Sequence, residues 1–233
     1  DDAAFYLALN HTVVAVDAQP GAASELLHRP GRGRLTVLLR ALIAEGGPAS
    51  VRFFICGSDR TRSTTDAGLG KDPAWCQDAA PVDIESATCG SLVMRFGAPV
   101  HAKVDVEGAD LECLESLFHA TRLRGMLLPA TISVEVAIGH ASRVDVEASS
   151  RLLKAFEKAG YRHFKLCRQA VFNPPFWGDD LASSGPFGDA ATDWRVGLAW
   201  RGPDEIIKDF SDIARAREAG SLVAEWFDLH TML

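Results

Sequence analysis

The stretch that decides the fold is HAKVDVEG, residues 101–108. Side chains alternate between the two faces of a β-strand, so its alanine and valines share one face. Lys103, Asp105 and Glu107 share the other face. A central parallel strand is covered on both faces, and burying an unpaired carboxylate costs several kcal/mol. The pattern therefore predicts a strand from Ala102 to Val106 whose charged side chains contact polar groups.

Two further acids interrupt β-branched runs. Glu135 lies within ISVEVAIG, and Asp17 ends the run TVVAVD. In open α/β sheets ligands bind outside the carboxyl ends of the strands, where these acids are expected to lie. The pattern favours a ligand cleft with an acidic wall. An acid that ends the second strand is also suited to accept hydrogen bonds from two ribose hydroxyls.

A structural role for the same residues is the alternative interpretation. Lys103 and Asp105 would then form an ion pair inside the fold, and Glu135 would cap a neighbouring helix. Asp17 would only close a turn before Pro20. The spacing of the residues leaves both interpretations open.

Strand and helix patterns alternate along the chain. This alternation predicts an α/β fold with a doubly wound, mostly parallel Rossmann-like sheet. A polar stretch from Gly57 to Asp83 is long enough to be a lid or a binding loop. The predicted strands are 12–17, 35–39, 51–56, 102–106, 131–137, 161–167, 194–200 and 224–229. The predicted helices are 3–9, one that begins after Gly108, one that Asp145 caps and Gly160 ends, and 203–219.

Composition narrows the class of protein. The chain has 233 residues, of which 47% are hydrophobic and 24% charged, and these values are typical of a globular protein of one domain. Its net charge of -7 and scattered basic residues argue against a nucleic-acid partner. No apolar run is long enough to cross a membrane. Five cysteines without a C-x-x-C pair argue against a disulfide framework and a zinc site, and favour a reducing, cytoplasmic location.

Three motifs in order carry a family resemblance. TVVAVD, KVDVEG and PATISVE resemble the FkbM-type S-adenosylmethionine-dependent methyltransferases, whose hallmark is similar to K-[IV]-D-[VI]-E-G followed by P-x-x-I-S-x-E. The segments GYRHFKLCRQ, SSGPFG and AEWFDLH resemble later parts of the longer members. The resemblance covers nearly the whole chain.

The resemblance implies a fold, a cofactor and a reaction. The fold would be the class I methyltransferase sheet of seven strands, and the reaction O-methylation of a hydroxyl on a sugar or small metabolite by S-adenosylmethionine. Asp17 falls where the family's ribose-binding acid lies, with Ala18 beside it, and Ala41 falls near the adenine ring. The family's preceding strand and D-x-G-x-x-x-G motif are not found ahead of Asp1. We therefore expect residues 1–233 to be a single methyltransferase-like domain that is N-terminally incomplete and lacks the central first strand.

Methyl transfer to a hydroxyl needs a group that accepts the proton. Asp105, Glu107 and Glu135 are the candidates for this catalytic base, since burial beside other acids raises the pKa of a carboxyl. The same three carboxylates could instead hold Mg²⁺ or Ca²⁺, although their spacing does not reveal a ligand count, and no metal site is predicted.

Other side chains are weaker candidates for the site. Three histidines could each act as a base, although a histidine that flanks a strand is more often structural; they are His101, His140 and His230. An aromatic cluster could line the acceptor pocket or pack as an apolar flap; it comprises Phe172, Phe176, Trp177, Phe187 and Trp194.

The sequence also permits a function of another class. A catalytically inactive relative that only binds a partner or serves as a scaffold would need no acidic cleft. An enzyme that uses a dinucleotide would need G-x-G-x-x-G, which does not occur in the chain. The expected partner is a small hydroxylated acceptor, and the sequence does not indicate an oligomeric state.

Two structural expectations follow. The strand at 12–17 and the strand at 102–106 should belong to one sheet with a slot between them. Asp17, Asp105 and Glu135 should line one cleft at the carboxyl ends of the strands.

Overall fold

The computed structural model describes residues 2–28, 32–59, 62–106, 109–136, 145–168, 200–219 and 227–233. The helices are α1 (Asp2–Ala8), α2 (Pro20–Leu27), α3 (Cys89–Phe96), α4 (Asp110–Leu123), α5 (Val146–Ala159) and α6 (Pro203–Glu218). The strands are β1 (Val13–Asp17), β2 (Leu35–Leu39), β3 (Ala41–Leu42), β4 (Ser50–Cys56), β5 (Ala79–Ala87), β6 (His101–Val104), β7 (Thr131–Val136), β8 (His163–Arg168) and β9 (Phe227–Met232). The chain divides into two compact units, Asp1–Leu92 and Val93–Leu233.

The first unit contains two small sheets. Strands β1 and β2 pair in parallel, and β5 lies between β3, which is parallel to it, and β4, which is antiparallel. The β3-β5-β4 sheet has an apolar core around Ala41, Phe53 and Ile84. Gln19 caps α2 because its side-chain oxygen accepts the backbone N–H of Ala22.

The second unit is built on a four-stranded sheet with the order β6-β7-β9-β8. Strands β6 and β7 are parallel, and β9 runs antiparallel to both of its neighbours. One face of this sheet is apolar, with Ile132, Val134 and Leu229 fully buried. The helices α4, α5 and α6 supply further buried apolar side chains, among them Leu114, Leu153, Phe156, Ile206 and Phe210.

Local signals in the sequence located several elements well. The strand at 35–39 is confirmed, and α5 lies between the side-chain cap of Asp145 and Gly160, as predicted. Gly160 has a φ of 123°, a backbone conformation that side chains disfavour. The strand that begins HAKVDVEG ends at Val104, two residues before its predicted end. It ends there because the chain turns towards α4, where the Asp110 carboxylate accepts the N–H of Val106.

The predicted α/β class is confirmed, whereas a mostly parallel, Rossmann-like sheet is not shown by the described residues. The fold is α/β, but its sheets are mixed, with antiparallel pairing of β4 with β5 and of β9 with β7 and β8. Strands β1 and β6 are assigned to separate sheets, so the expectation of one sheet containing both is wrong here. Periodicity locates a strand without showing its direction or its partner, which is why this error arises.

The polar stretch from Gly57 to Asp83 is not wholly a loop. Its last residues belong to β5, which starts at Ala79 and pairs with β4 in antiparallel orientation. Pro20 begins a helix, since proline is well accommodated at the first helical position, whereas the sequence predicted only a turn there. Trp200 lies outside any strand, contrary to the predicted end of the strand at 194–200.

The expectation of reduced cysteines is wrong. Cys56 and Cys76 are joined by a disulfide bond, and Cys167 is a buried cysteine outside any disulfide bond. Pairing of β4 with β5 brings Cys56 opposite Ala79, so the chain returns beside the first cysteine after the intervening segment. This return could not be read from the cysteine spacing.

Some predicted features lie outside the described residues. They are Glu107, His140, the aromatic residues Phe172, Phe176, Trp177, Phe187 and Trp194, residues 194–199 of one predicted strand and residues 224–226 of another. Among the described helices, none combines the length and the apolar character that a membrane crossing requires. The single-domain assignment of residues 1–233 stays a prediction.

Candidate functional site

The second face of the four-stranded sheet is polar. In its central row, cross-strand pairing places Lys103 of β6 beside Ser133 of β7, Ser133 beside His230 of β9, and His230 beside Lys165 of β8. Residues that pair directly across strands project from the same face. We call this surface the polar face, and it confirms the predicted alternation of HAKVDVEG over the residues of β6, His101–Val104.

Lys103 is held by carboxylates on the polar face. Its Nζ donates to Oδ2 of Asp228 over 2.5 Å and lies 3.6 Å from Oδ2 of Asp105. Ser133 Oγ donates to the same oxygen of Asp228 over 3.3 Å. Asp228 is only 1% exposed, so these donors replace the water that its charge would otherwise require. The structural ion pair weighed for Lys103 exists, but its closer partner is Asp228.

His230 lies between the two lysines and is 1% exposed. Its pKa is well below the ordinary value, first because burial disfavours the charged ring and then because Lys103, Lys165 and His101 repel a further positive charge. His230 is therefore neutral near pH 7 in the folded chain.

We expect His230→Gln to reduce the acid sensitivity of the fold. Below a pH of about 6.5 the unfolded chain protonates this histidine while the folded chain resists it. The free energy of unfolding therefore falls as the pH decreases, by up to about 1.4 kcal/mol per pH unit from this group. Urea denaturation of wild type and variant between pH 7 and 5 measures this slope. His119→Gln, at an exposed position on α4, is the control and should keep the wild-type slope.

Lys165 is buried at the other end of the row. It is 2% exposed, and its Nζ lies 5.5 Å from the ring centroid of Trp200. An ammonium over an aromatic ring is stabilised by the ring quadrupole. The polar face thus contains two lysines, one near carboxylates and one near an indole ring.

The next row along the sheet is acidic. Glu135 pairs across strands with Asp228, and Asp228 pairs with Cys167 of β8. Asp105 follows β6 directly and is exposed, whereas Glu135 is half-buried. The structure therefore places two of the predicted catalytic acids at the carboxyl ends of β6 and β7, with the Asp105 carboxylate 3.6 Å from Nζ of Lys103.

The residues predicted to bind the cofactor belong to the first unit. Asp17 ends β1 and is half-buried; its Oδ1 accepts the backbone N–H of Gln19 over 2.8 Å. Ala18 packs against the apolar core of the β3-β5-β4 sheet, and Ala41 is 1% exposed within it. Ala41 thus presents almost no surface for an adenine ring to contact, and its predicted role stays a prediction.

Three residues of the polar face escaped the analysis of the sequence: Ser133, Lys165 and Asp228. A signal was present, because FKL and FDLHT alternate charged with apolar residues as HAKVDVEG does. His101 also belongs to this face, where Nδ1 and the hydroxyl of Thr131 are 2.9 Å apart. Of the candidate histidines, two therefore lie on the polar face.

No family model, curated protein or solved structure matches the chain.

Proposed function

We propose that the chain belongs to an S-adenosylmethionine-dependent O-methyltransferase that acts on a hydroxyl of a sugar or small metabolite. The observation that carries the proposal is the acidic row at the carboxyl ends of parallel β6 and β7, where α/β sheets bind ligands. The order β6-β7-β9-β8, with one antiparallel strand inserted, is compatible with a class I methyltransferase sheet. That finer fold is part of the proposal.

Asp105 is the favoured base for the acceptor hydroxyl. Its exposed carboxylate can meet a small molecule, and its position after β6 keeps it at the edge of the sheet. Lys103 lies 3.6 Å away and would stabilise negative charge that develops on the acceptor oxygen. Glu135 is less accessible, and we assign it to positioning within the acidic row.

Asp17 fits the binding of a nucleoside. A carboxylate at the end of a parallel strand can accept hydrogen bonds from ribose hydroxyls, and its Oδ1 is oriented by the N–H of Gln19. S-adenosylmethionine, when bound, supplies the electrophilic methyl group. The protein would align the acceptor and take its proton.

The second candidate is an inactive relative that binds a partner or serves as a scaffold. The Lys103–Asp228 ion pair favours it, since so buried a pair is also compatible with a purely structural role. Calorimetry with S-adenosylmethionine, S-adenosylhomocysteine and NAD separates these functions. It should use the 233-residue chain and, if the gene encodes residues ahead of Asp1, the extended chain. Binding of the first two and not NAD supports the proposal, whereas binding of none favours a scaffold.

A cytoplasmic location stays a prediction. It was based mainly on the expectation of reduced cysteines, which the Cys56–Cys76 disulfide bond contradicts. The disulfide bond does not by itself indicate another compartment.

We expect Asp17→Ala to weaken cofactor binding more than it lowers turnover. The carboxylate would contact the ribose equally in the ground state and the transition state, so its removal loses uniform binding. Loss of hydrogen bonds to a charged acceptor corresponds to about tenfold or more in the dissociation constant. Calorimetry gives the constant, and the exposed Asp83 of β5 supplies the control Asp83→Ala. Normal cofactor binding by Asp17→Ala would contradict the assigned role.

A further inference from the structure

A group of sulfur and oxygen atoms lies in the first unit, apart from the residues used above. Cys56 ends β4, and Cys76 and Asp78 precede β5, so antiparallel pairing brings them together. Oδ1 of Asp78 lies 3.0 Å from Sγ of Cys76 and 3.7 Å from Sγ of Cys56. The ligand atoms of the three residues all lie within 4.8 Å of one another.

We propose that Cys56, Cys76 and Asp78 form a redox-gated site for a thiophilic divalent cation such as Zn²⁺. The dithiol form binds the cation, and the disulfide form does not. Zinc prefers cysteine sulfur together with carboxylate oxygen and takes four ligands in a tetrahedron. Three protein ligands leave one position for water or an external ligand. The proposal is independent of the methyltransferase proposal.

Neighbouring residues orient the Asp78 carboxylate and leave space around it. Ser58 Oγ donates to Oδ1 of Asp78 over 2.9 Å. A Cβ placed on Gly57 would be 2.8 Å from Oδ2 of Asp78, so the glycine leaves room for the carboxylate.

The two sulfurs are held near each other by contacts other than their covalent bond. The backbone N–H of Cys56 donates to Ser63 Oγ over 3.1 Å, and the backbones of Phe54 and Thr64 exchange hydrogen bonds. Gly70 packs so closely on Phe54 that a Cβ there would lie 2.2 Å from the ring. These contacts anchor the segment between the cysteines on β4, so reduction leaves the dithiol assembled.

Conversion between the disulfide and dithiol forms of Cys56 and Cys76 transfers two electrons. Reduction breaks the S–S bond and forms two S–H groups; in a cell the electrons come from a small thiol such as glutathione, which becomes a disulfide. Binding of Zn²⁺ then releases both thiol protons, because the thiolate is the ligand. Oxidation by the disulfide of that small thiol re-forms the S–S bond, returns two molecules of the thiol with uptake of two protons, and expels the cation.

The test compares oxidised and reduced full-length chain. A water-soluble phosphine reduces the disulfide, becomes the phosphine oxide with oxygen from water, and is removed under argon before metal is added. Native mass spectrometry counts bound Zn²⁺, and Co²⁺ reports thiolate ligation through its charge-transfer absorption. We expect one cation in the reduced chain and none in the oxidised chain.

Two variants identify the ligands. Cys56→Ser should lose the Co²⁺ absorption although Cys76, Cys89, Cys113 and Cys167 remain, because one thiolate and one carboxylate do not hold the cation. Asp78→Asn should weaken Zn²⁺ binding at least tenfold, about the loss seen when even an outer partner of a ligand is removed. The matched control, Asp83→Asn at an exposed position of β5, should bind as the wild type does. Uptake by the oxidised chain, wild-type uptake by Asp78→Asn, or thiolate absorption from Cys56→Ser overturns the proposal.

Discussion

Asp228→Ala is expected to lower the free energy of unfolding by about 3–5 kcal/mol, the usual cost of leaving one partner of a buried ion pair uncompensated. The carboxylate accepts from Lys103 and from Ser133, and it is 1% exposed. Its removal deprives the Lys103 ammonium of a carboxylate at 2.5 Å, whereas the Asp105 carboxylate lies farther away, at 3.6 Å. Urea denaturation followed by circular dichroism measures the change.

A double variant shows how much of the stability lost in Asp228→Ala is due to the unpaired Lys103 charge and how much to the lost side-chain volume. Lys103→Met combined with Asp228→Leu removes both charges, and it should be markedly more stable than Asp228→Ala alone. An exposed pair provides the comparison, because Arg151 and Glu147 on α5 form a solvent-facing ion pair 2.9 Å apart. Arg151→Ala should change stability by less than about 1 kcal/mol. Equal losses for Asp228→Ala and Arg151→Ala would show that burial does not govern this ion pair.

Asp105→Asn is expected to lower the rate of methyl transfer about 10²- to 10⁴-fold, the usual contribution of a general base. The amide keeps the shape of the side chain but cannot accept the proton of the acceptor hydroxyl. Because this interaction strengthens only in the transition state, cofactor affinity should change little. Single-turnover assays on an active hydroxylated acceptor, with calorimetry in parallel, give both quantities.

Glu147→Gln is the control for the Asp105 variant. Glu147 lies exposed in the first turn of α5, on the same unit but outside the acidic row. Its variant should methylate at the wild-type rate. The assignment of the base fails if Asp105→Asn also methylates at that rate. Glu135→Gln then becomes the next variant to measure, since it removes the other described acid of the row.

Local signals in the sequence were sufficient for much of the second unit. Asp145 and Gly160 lie at the two ends of α5, as predicted from their capping chemistry. The alternation in HAKVDVEG correctly separates a charged face from an apolar one. These features depend on neighbours in the chain, and this is why the sequence alone predicts them.

Long-range partners escaped prediction. Lys103 and Asp228 are 125 positions apart, and nothing in either local pattern names the other. Cys76 returns to Cys56 only because β5 pairs with β4. The direction of β9 is likewise decided by the sheet it joins. The candidate site was therefore predicted at β6 and β7, whereas His230 of β9 was a weaker candidate and Lys165 of β8 and Asp228 of β9 were missed.

The position of β9 has a consequence for synthesis on the ribosome. The four strands of this sheet emerge in the order β6, β7, β8 and β9, yet β9 lies between β7 and β8. Until its residues leave the exit tunnel, β8 lacks its neighbour within the sheet, and Lys103 lacks the Asp228 carboxylate. The sheet must therefore close late, after translation of its last strand, and nascent chains halted before β9 should be sensitive to protease.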